Sequence, residues 1–264
     1  MAITIAVANQ KGGVGKTTTA VNIAGALARA GAPTLLIDLD PQGNATTSLG
    51  LKKQGVGATV YDVLAGSAPA RAAVHPTGRP SFSVIPSTED LAGAEIELAQ
   101  VDRREWQLAD CLAGVGDFEY VLIDCPPSLG LLTVNALCAA DYVLIPLQCE
   151  YLALEGLAQL KGTVDRVREH LNHRLAMIGV VTTMYDGRTN LSQQVLEEVR
   201  RYFPNHVFDR PVPRSIRAGE APSYGQLLIE YDPQSRAAAA YTALAREIVS
   251  RTRLARVVAP AWRA

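Results

Sequence analysis

Apolar runs of strand length alternate with longer stretches of helical spacing along the whole chain. Residues 3–8, 34–38, 82–86, 120–124, 142–146 and 177–182 read as strands, rich in Val, Ile, Leu and Ala. Residues 17–30, 152–171 and 192–202 carry the three-to-four-residue apolar spacing of amphipathic helices. Nearly continuous apolar strands separated by helices predict an α/β fold, a doubly wound, mostly parallel sheet with helices on both faces. Several strand runs end in Asp38, Asp124 or Pro146. Open α/β sheets place their ligands there, beyond the carboxyl ends of the strands. Residues 50–80 are richer in Gly and Pro and are expected to form an excursion with a small helix around 59–64. The C-terminal stretch is Ala-rich and then basic (Arg246, Arg251, Arg253, Arg256, Arg263), with Pro260 expected to stop its helix. The expectation is one domain over residues 1–264.

Composition narrows the function classes. With 264 residues, 48% of them hydrophobic, the chain can bury a large core. A net charge of −1 means that any affinity for an anionic polymer must come from a local patch. Cys111, Cys125, Cys138 and Cys149 have no CxxC spacing, so reduced core thiols are expected in place of a zinc site or a disulfide framework. No apolar run approaches the ~18 residues of a membrane span, and no secretory leader precedes the first strand run. A soluble, cytoplasmic protein is expected.

The strongest chemical signal is Lys11-Gly12-Gly13-Val14-Gly15-Lys16-Thr17-Thr18, lying between a strand run and a helical run. Glycines let successive backbone N–H groups turn onto phosphate oxygens without Cβ clashes, and the following helix offers its positive end to the anion. Lys16 is then expected to reach the β- and γ-phosphates of a nucleoside triphosphate, and the Thr17 hydroxyl to coordinate Mg2+. The ordinary pattern GxxxxGK[ST] would have glycine at position 10, and this chain has Gln10 followed by Lys11. A second lysine at the loop entrance, at the opposite end of the loop from Lys16, could face a second subunit's nucleotide in place of its own. Asp124 ends the apolar run Val121-Leu122-Ile123, where a carboxylate can hold magnesium through water, and Pro126 and Pro127 stop the strand behind it. Asp38 and Asp40 are two residues apart and project to the same side of an extended backbone.

The segment from Asn9 to Thr18 resembles the deviant Walker A motif of the ParA/MinD ATPases. Asp38-Leu39-Asp40-Pro41-Gln42-Gly43-Asn44 and Asp124-Cys125-Pro126-Pro127-Ser128 are similar to the ParA/Soj branch, which partitions chromosomes and plasmids. That resemblance implies a magnesium-dependent ATPase in which Asp40 positions or activates the attacking water and Asp38 supports the magnesium shell. It implies that Lys11 acts across an ATP-bound homodimer, and that Pro213 and Ser215 lie against the nucleotide base. Many relatives carry Asn where this chain has Ser215. Arg188 and Arg217 match positions whose arginines bind DNA without sequence preference. The implied partners are nonspecific double-stranded DNA, placing the ATP-bound protein on the nucleoid, and a ParB-like centromere-binding protein. Because the first strand run starts at residue 3, no N-terminal helix-turn-helix domain is expected.

Two other readings make different demands. A MinD-like membrane-positioning ATPase needs a C-terminal amphipathic helix with bulky apolar residues on one face. Residues 248–258 offer Ile248, Val249, Leu254, Val257 and Val258, and no large aromatic until Trp262. An ATP-driven redox protein needs paired cysteines to bridge a cluster between subunits, and these four cysteines are not so spaced. Related ATPases position other cargoes, among which one sequence does not choose.

Overall fold

The computed structural model describes residues 2–150 and 153–258. Seven strands form one sheet: β1 (Ile3–Val7), β2 (Thr34–Asp38), β3 (His75–Arg79), β4 (Phe82–Ile85), β5 (Tyr120–Asp124), β6 (Tyr142–Gln148) and β7 (Ala176–Thr183). Their order is β3-β4-β2-β5-β1-β6-β7, and every pairing is parallel except β3 with β4. The fold is therefore α/β, doubly wound and mostly parallel.

Strand alternation supplies a core on each face. Along β1, Ile3, Ile5 and Val7 enter one apolar cluster while Ala6 enters the other. Along β5, Tyr120 and Leu122 take the first side, Val121 and Ile123 the second. Successive side chains on a strand point to opposite faces, so a continuous apolar run feeds both layers. The helices Lys16–Arg29 and Arg236–Val258 pack on the first face. The second face is covered by Val60–Leu64, Leu91–Leu98, Gln107–Leu112, Leu131–Ala139 and Ala153–His170.

The six strands read from the sequence are all present, with β6 and β7 slightly longer than expected. The small helix near residue 59 is Val60–Leu64, fixed at its start by a capping box in which the Thr59 N–H donates to the Asp62 carboxylate at 2.8 Å. Edge strand β3 went unread because His-Pro-Thr-Gly-Arg has no apolar alternation. Proline is tolerated at such an edge. The expected helix stop at Pro260, with Trp262 and Arg263, lies outside the described residues, as does the expected helix start at residue 152.

Arg251 is committed to the fold, although the sequence groups it with a basic tail. Its guanidinium donates to the Ile178 carbonyl at 2.8 Å and the Val207 carbonyl at 3.0 Å, pairs with Glu247 at 2.6 Å, and sits 4.1 Å over the Phe208 ring. It ties the last helix to β7 and to residues 207–208. All four cysteines are free thiols, and all but Cys111 are buried. Among the described residues no helix is long and apolar enough to cross a membrane.

Candidate active site at the carboxyl edge of the sheet

Because β1, β2 and β5 run parallel, their carboxyl ends open on one edge. The register sets Asp124 beside Val7 on one side and beside Asp38 on the other. The loop from Ala8 to Gly15 leaves β1 at this edge and enters the helix that begins at Lys16. Gly13 and Gly15 have φ of 75° and 85°, a region that side chains with a Cβ avoid, and Gly15 caps the helix. The loop is anchored from two directions. The Thr183 hydroxyl donates to the Val14 carbonyl at 2.7 Å, and Asn9 Nδ2 donates to the Pro146 carbonyl at 2.7 Å.

Lys16 is buried (7% exposed) and its ammonium donates to the Lys11 carbonyl at 3.2 Å. Burial pushes this ammonium below its ordinary pKa, while the charges of Asp124 and Asp40 work the other way. Asp38 is fully buried and held in place: its Oδ2 accepts from the Thr46 N–H and hydroxyl, both at 2.7 Å, and its Oδ1 accepts from the Asp40 N–H at 3.3 Å. Asp40 accepts from the Gln42 N–H at 2.9 Å through Oδ1, and its Oδ2 has no hydrogen bond among the described residues. Asp124 differs from both. It is fully buried and neither carboxylate oxygen has a hydrogen-bond partner among the described residues. Burial first, and then the neighbouring Asp38 charge, raise its pKa well above the carboxylate range. The Thr17 hydroxyl favours the ionised form without reaching hydrogen-bond geometry.

An orphaned buried carboxylate costs free energy unless a ligand satisfies it. Three carboxyls against one ammonium in a buried cleft call for a divalent cation with oxygen ligands. No group of three or more His, Cys, Asp or Glu side chains converges into a protein cage among the described residues. That suits Mg2+, which keeps most of its ligands as water and phosphate. Thr17 and Asp124 are side chains that could hold it, Asp124 through its two unpartnered oxygens. Asp38 stands beside Asp124 on the next strand, with most of its acceptor capacity taken by Thr46 and Asp40.

A cavity of about 240 Å³ opens from the same loop, lined by Gly15, Thr18, Met184, Pro213, Ser215 and Tyr241 among others. Pro213 and Ser215 thus lie beside the phosphate loop. The two arginines sit elsewhere, on the surface. Arg188 is bonded to both oxygens of Asp186, at 2.9 and 2.7 Å, with 90% of its side chain exposed. Arg217 pairs with Glu220 at 2.8 Å and stands 5.9 Å over the Tyr231 ring. Arg188 lines a groove of about 800 Å³ with Arg214, Arg236 and the 213–216 segment.

Two neighbours of the site escaped the sequence reading. Thr46 was unremarkable because its hold on Asp38 comes from the short helix Asn44–Ser48, which carries no apolar periodicity. Glu150, ion-paired to Lys11, lies 139 residues away and has no local signal.

The loop, the strand-end carboxylates and the sheet order together define a P-loop nucleoside triphosphatase that uses ATP with Mg2+. The family model described as an AAA domain matches residues 2–177. The chain is 52% identical to the chromosome partitioning protein ParA of Myxococcus xanthus over 94% of this chain and 88% of that one. It is 52% identical to the sporulation initiation inhibitor protein Soj of Bacillus subtilis over 93% and 98%. A structure described as cobyrinic acid a,c-diamide synthase from Mycobacterium smegmatis, with bound ATP analogue and magnesium, superposes with a TM-score of 0.82 at 40% identity, covering 93% of each chain. The chain belongs to the ParA/Soj family of chromosome-partitioning ATPases.

Proposed function

We propose that this ATPase is a nucleotide-driven switch: ATP closes a homodimer, the dimer binds DNA without sequence preference, and slow hydrolysis releases it. A ParB-like centromere-binding protein is the partner that accelerates release. In this reading Lys16, Thr17, Asp124 and Asp40 serve the nucleotide of their own subunit, and Lys11 reaches that of the partner. Thr18, with Gly12, Gly13, Val14 and Gly15, lines the phosphate cradle, and Pro213 and Ser215 bound the base. Charge stabilisation of the transferring phosphoryl group is what such an enzyme chiefly supplies, so a lysine given in trans ties hydrolysis to assembly.

The observation that carries the DNA arm is the shared segment Pro213-Arg214-Ser215. It borders both the cavity next to the phosphate loop and the groove holding Arg188, Arg214 and Arg236. Nucleotide and polyanion would therefore bear on opposite sides of one short stretch of backbone. Arg188 and Arg217 are exposed and pair with partly exposed carboxylates, and such surface pairs are weak and readily exchanged for phosphate. Dimerisation doubles this patch, which turns weak contacts into useful affinity. In cells the ATP-bound form would then associate with the nucleoid.

The test is binding to a random-sequence duplex with ATP, with ADP and without nucleotide, at two salt concentrations. Tight, salt-sensitive binding with ATP alone, lost in Arg217→Ala, is the expected result. No binding in any nucleotide state would refute the DNA arm and direct attention to anionic liposomes.

A further inference from the structure

The phosphate loop has a second set of contacts that its phosphate chemistry does not use. The Lys11 ammonium is ion-paired with Glu150, with 41% and 42% of the two side chains exposed. The adjacent Gln10 donates from Nε2 to Gln159 Oε1 at 2.6 Å. Glu150 lies two residues past the end of β6, where its N–H donates to the Gln148 carbonyl at 2.9 Å, and Gln159 lies on the helix Ala153–His170. Two consecutive loop residues are thus clamped to the segment that follows β6. Gln10 stands where the ordinary phosphate-loop pattern begins with glycine, a residue that could not make the contact to Gln159.

This arrangement has an energetic consequence for any phosphate that Lys11 must reach. The ammonium has to exchange the Glu150 carboxylate for phosphate oxygens. Glu150, left behind, is then a like charge beside a polyanion. Both effects oppose engagement of Lys11. The pair is half-exposed and hence weak, so a concentrated anion can displace it.

We infer that Glu150 is a positioning residue for Lys11: it parks the ammonium in the nucleotide-free protomer and raises the ATP threshold for dimer closure. The inference rests on the reading in which Lys11 serves the partner subunit's nucleotide.

Two measurements separate the failure of one from the failure of the other. The first is the rate at which an amine-reactive reagent labels Lys11 in the full-length, nucleotide-free protein, read by peptide mass spectrometry. Glu150→Gln should label Lys11 at least about twofold faster, with Lys52 and Lys53 unchanged, and Glu150→Asp should largely restore slow labelling. An unchanged Lys11 rate in Glu150→Gln overturns the parking contact. The second is the dimer dissociation constant with a non-hydrolysable ATP analogue and Mg2+, by sedimentation, for wild type, Glu150→Gln, Lys11→Ala and the double variant. Glu150→Gln should tighten the dimer about three- to tenfold in the wild-type background and leave it unchanged in the Lys11→Ala background. Equal tightening in both backgrounds would reduce Glu150 to a general charge effect and overturn the inference, as would weaker or unaltered dimerisation. Faster labelling together with a Lys11→Ala protein that dimerises and hydrolyses like wild type would instead sink the trans-lysine reading and leave the parking contact standing.

Discussion

The two lysines of one loop, five residues apart, live in opposite circumstances. Lys16 is buried, bonded to the loop's own backbone, and faces Asp124 and Asp40. Lys11 is half-exposed and held by a carboxylate from a distant part of the chain. The Lys16 end is buried: Lys16, Asp38, Asp40 and Asp124 are each less than a tenth exposed, and Asp38 is held by two 2.7 Å hydrogen bonds from Thr46. The Lys11 end carries contacts that can be exchanged. The contrast suggests that an enzyme can keep its phosphate chemistry rigid while leaving its assembly open to regulation, by assigning the two jobs to opposite ends of a single loop.

The comparison breaks most severely at the rigid end. Lys16→Ala should weaken ATP binding on the order of a hundredfold or more, since a charge-assisted contact to phosphate is lost in a buried setting; titration calorimetry with Mg-ATP measures it. Asp40→Ala should retain ATP and lower the hydrolysis rate on the order of a hundredfold or more, and rapid turnover by that variant would remove Asp40 from its role. Thr46→Val deletes the hydroxyl that donates to Asp38 and accepts from the Ser87 N–H at 2.9 Å. It should cost about 2–3 kcal/mol in denaturant unfolding, because a buried carboxylate and a buried N–H each lose a partner. Gly12→Val sharpens the other end. No atom lies within 4 Å of where a Cβ would stand at Gly12, and its φ is not positive. The folded protomer should therefore keep its melting temperature, while the added side chain crowds the loop where two subunits meet and costs ATP-dependent dimerisation; a destabilised protomer would show that the loop has no room even alone.

Legibility in the sequence follows the same division. The central strands, the phosphate loop, Asp38, Asp40 and Asp124 were all readable, because each is a local pattern in which an apolar run stops at a carboxylate or a glycine-rich turn meets a helix. Pro213 and Ser215 were placed by resemblance alone, and the fold brings them to the loop through the parallel bridge between Tyr185 and Pro213. What local patterns could not supply were contacts across long sequence separation: Glu150 to Lys11, Gln159 to Gln10, and Thr183 to Val14. Arg251 shows the converse error. A basic residue near the C-terminus looks like surface charge, yet its guanidinium covers an aromatic ring and two backbone carbonyls.

The most direct test of the central claim, that the two ends of the loop serve different subunits, is complementation by mixing. Lys11→Ala and Asp40→Ala proteins, each deficient in hydrolysis alone, are combined with Mg-ATP and phosphate release is followed. A heterodimer would contain one site with its own Asp40 and Lys16 and the partner's intact Lys11, so mixing should restore hydrolysis. If Lys11 serves its own nucleotide, every site in the mixture lacks one of the two residues, and a mixture as inactive as its components would contradict the account.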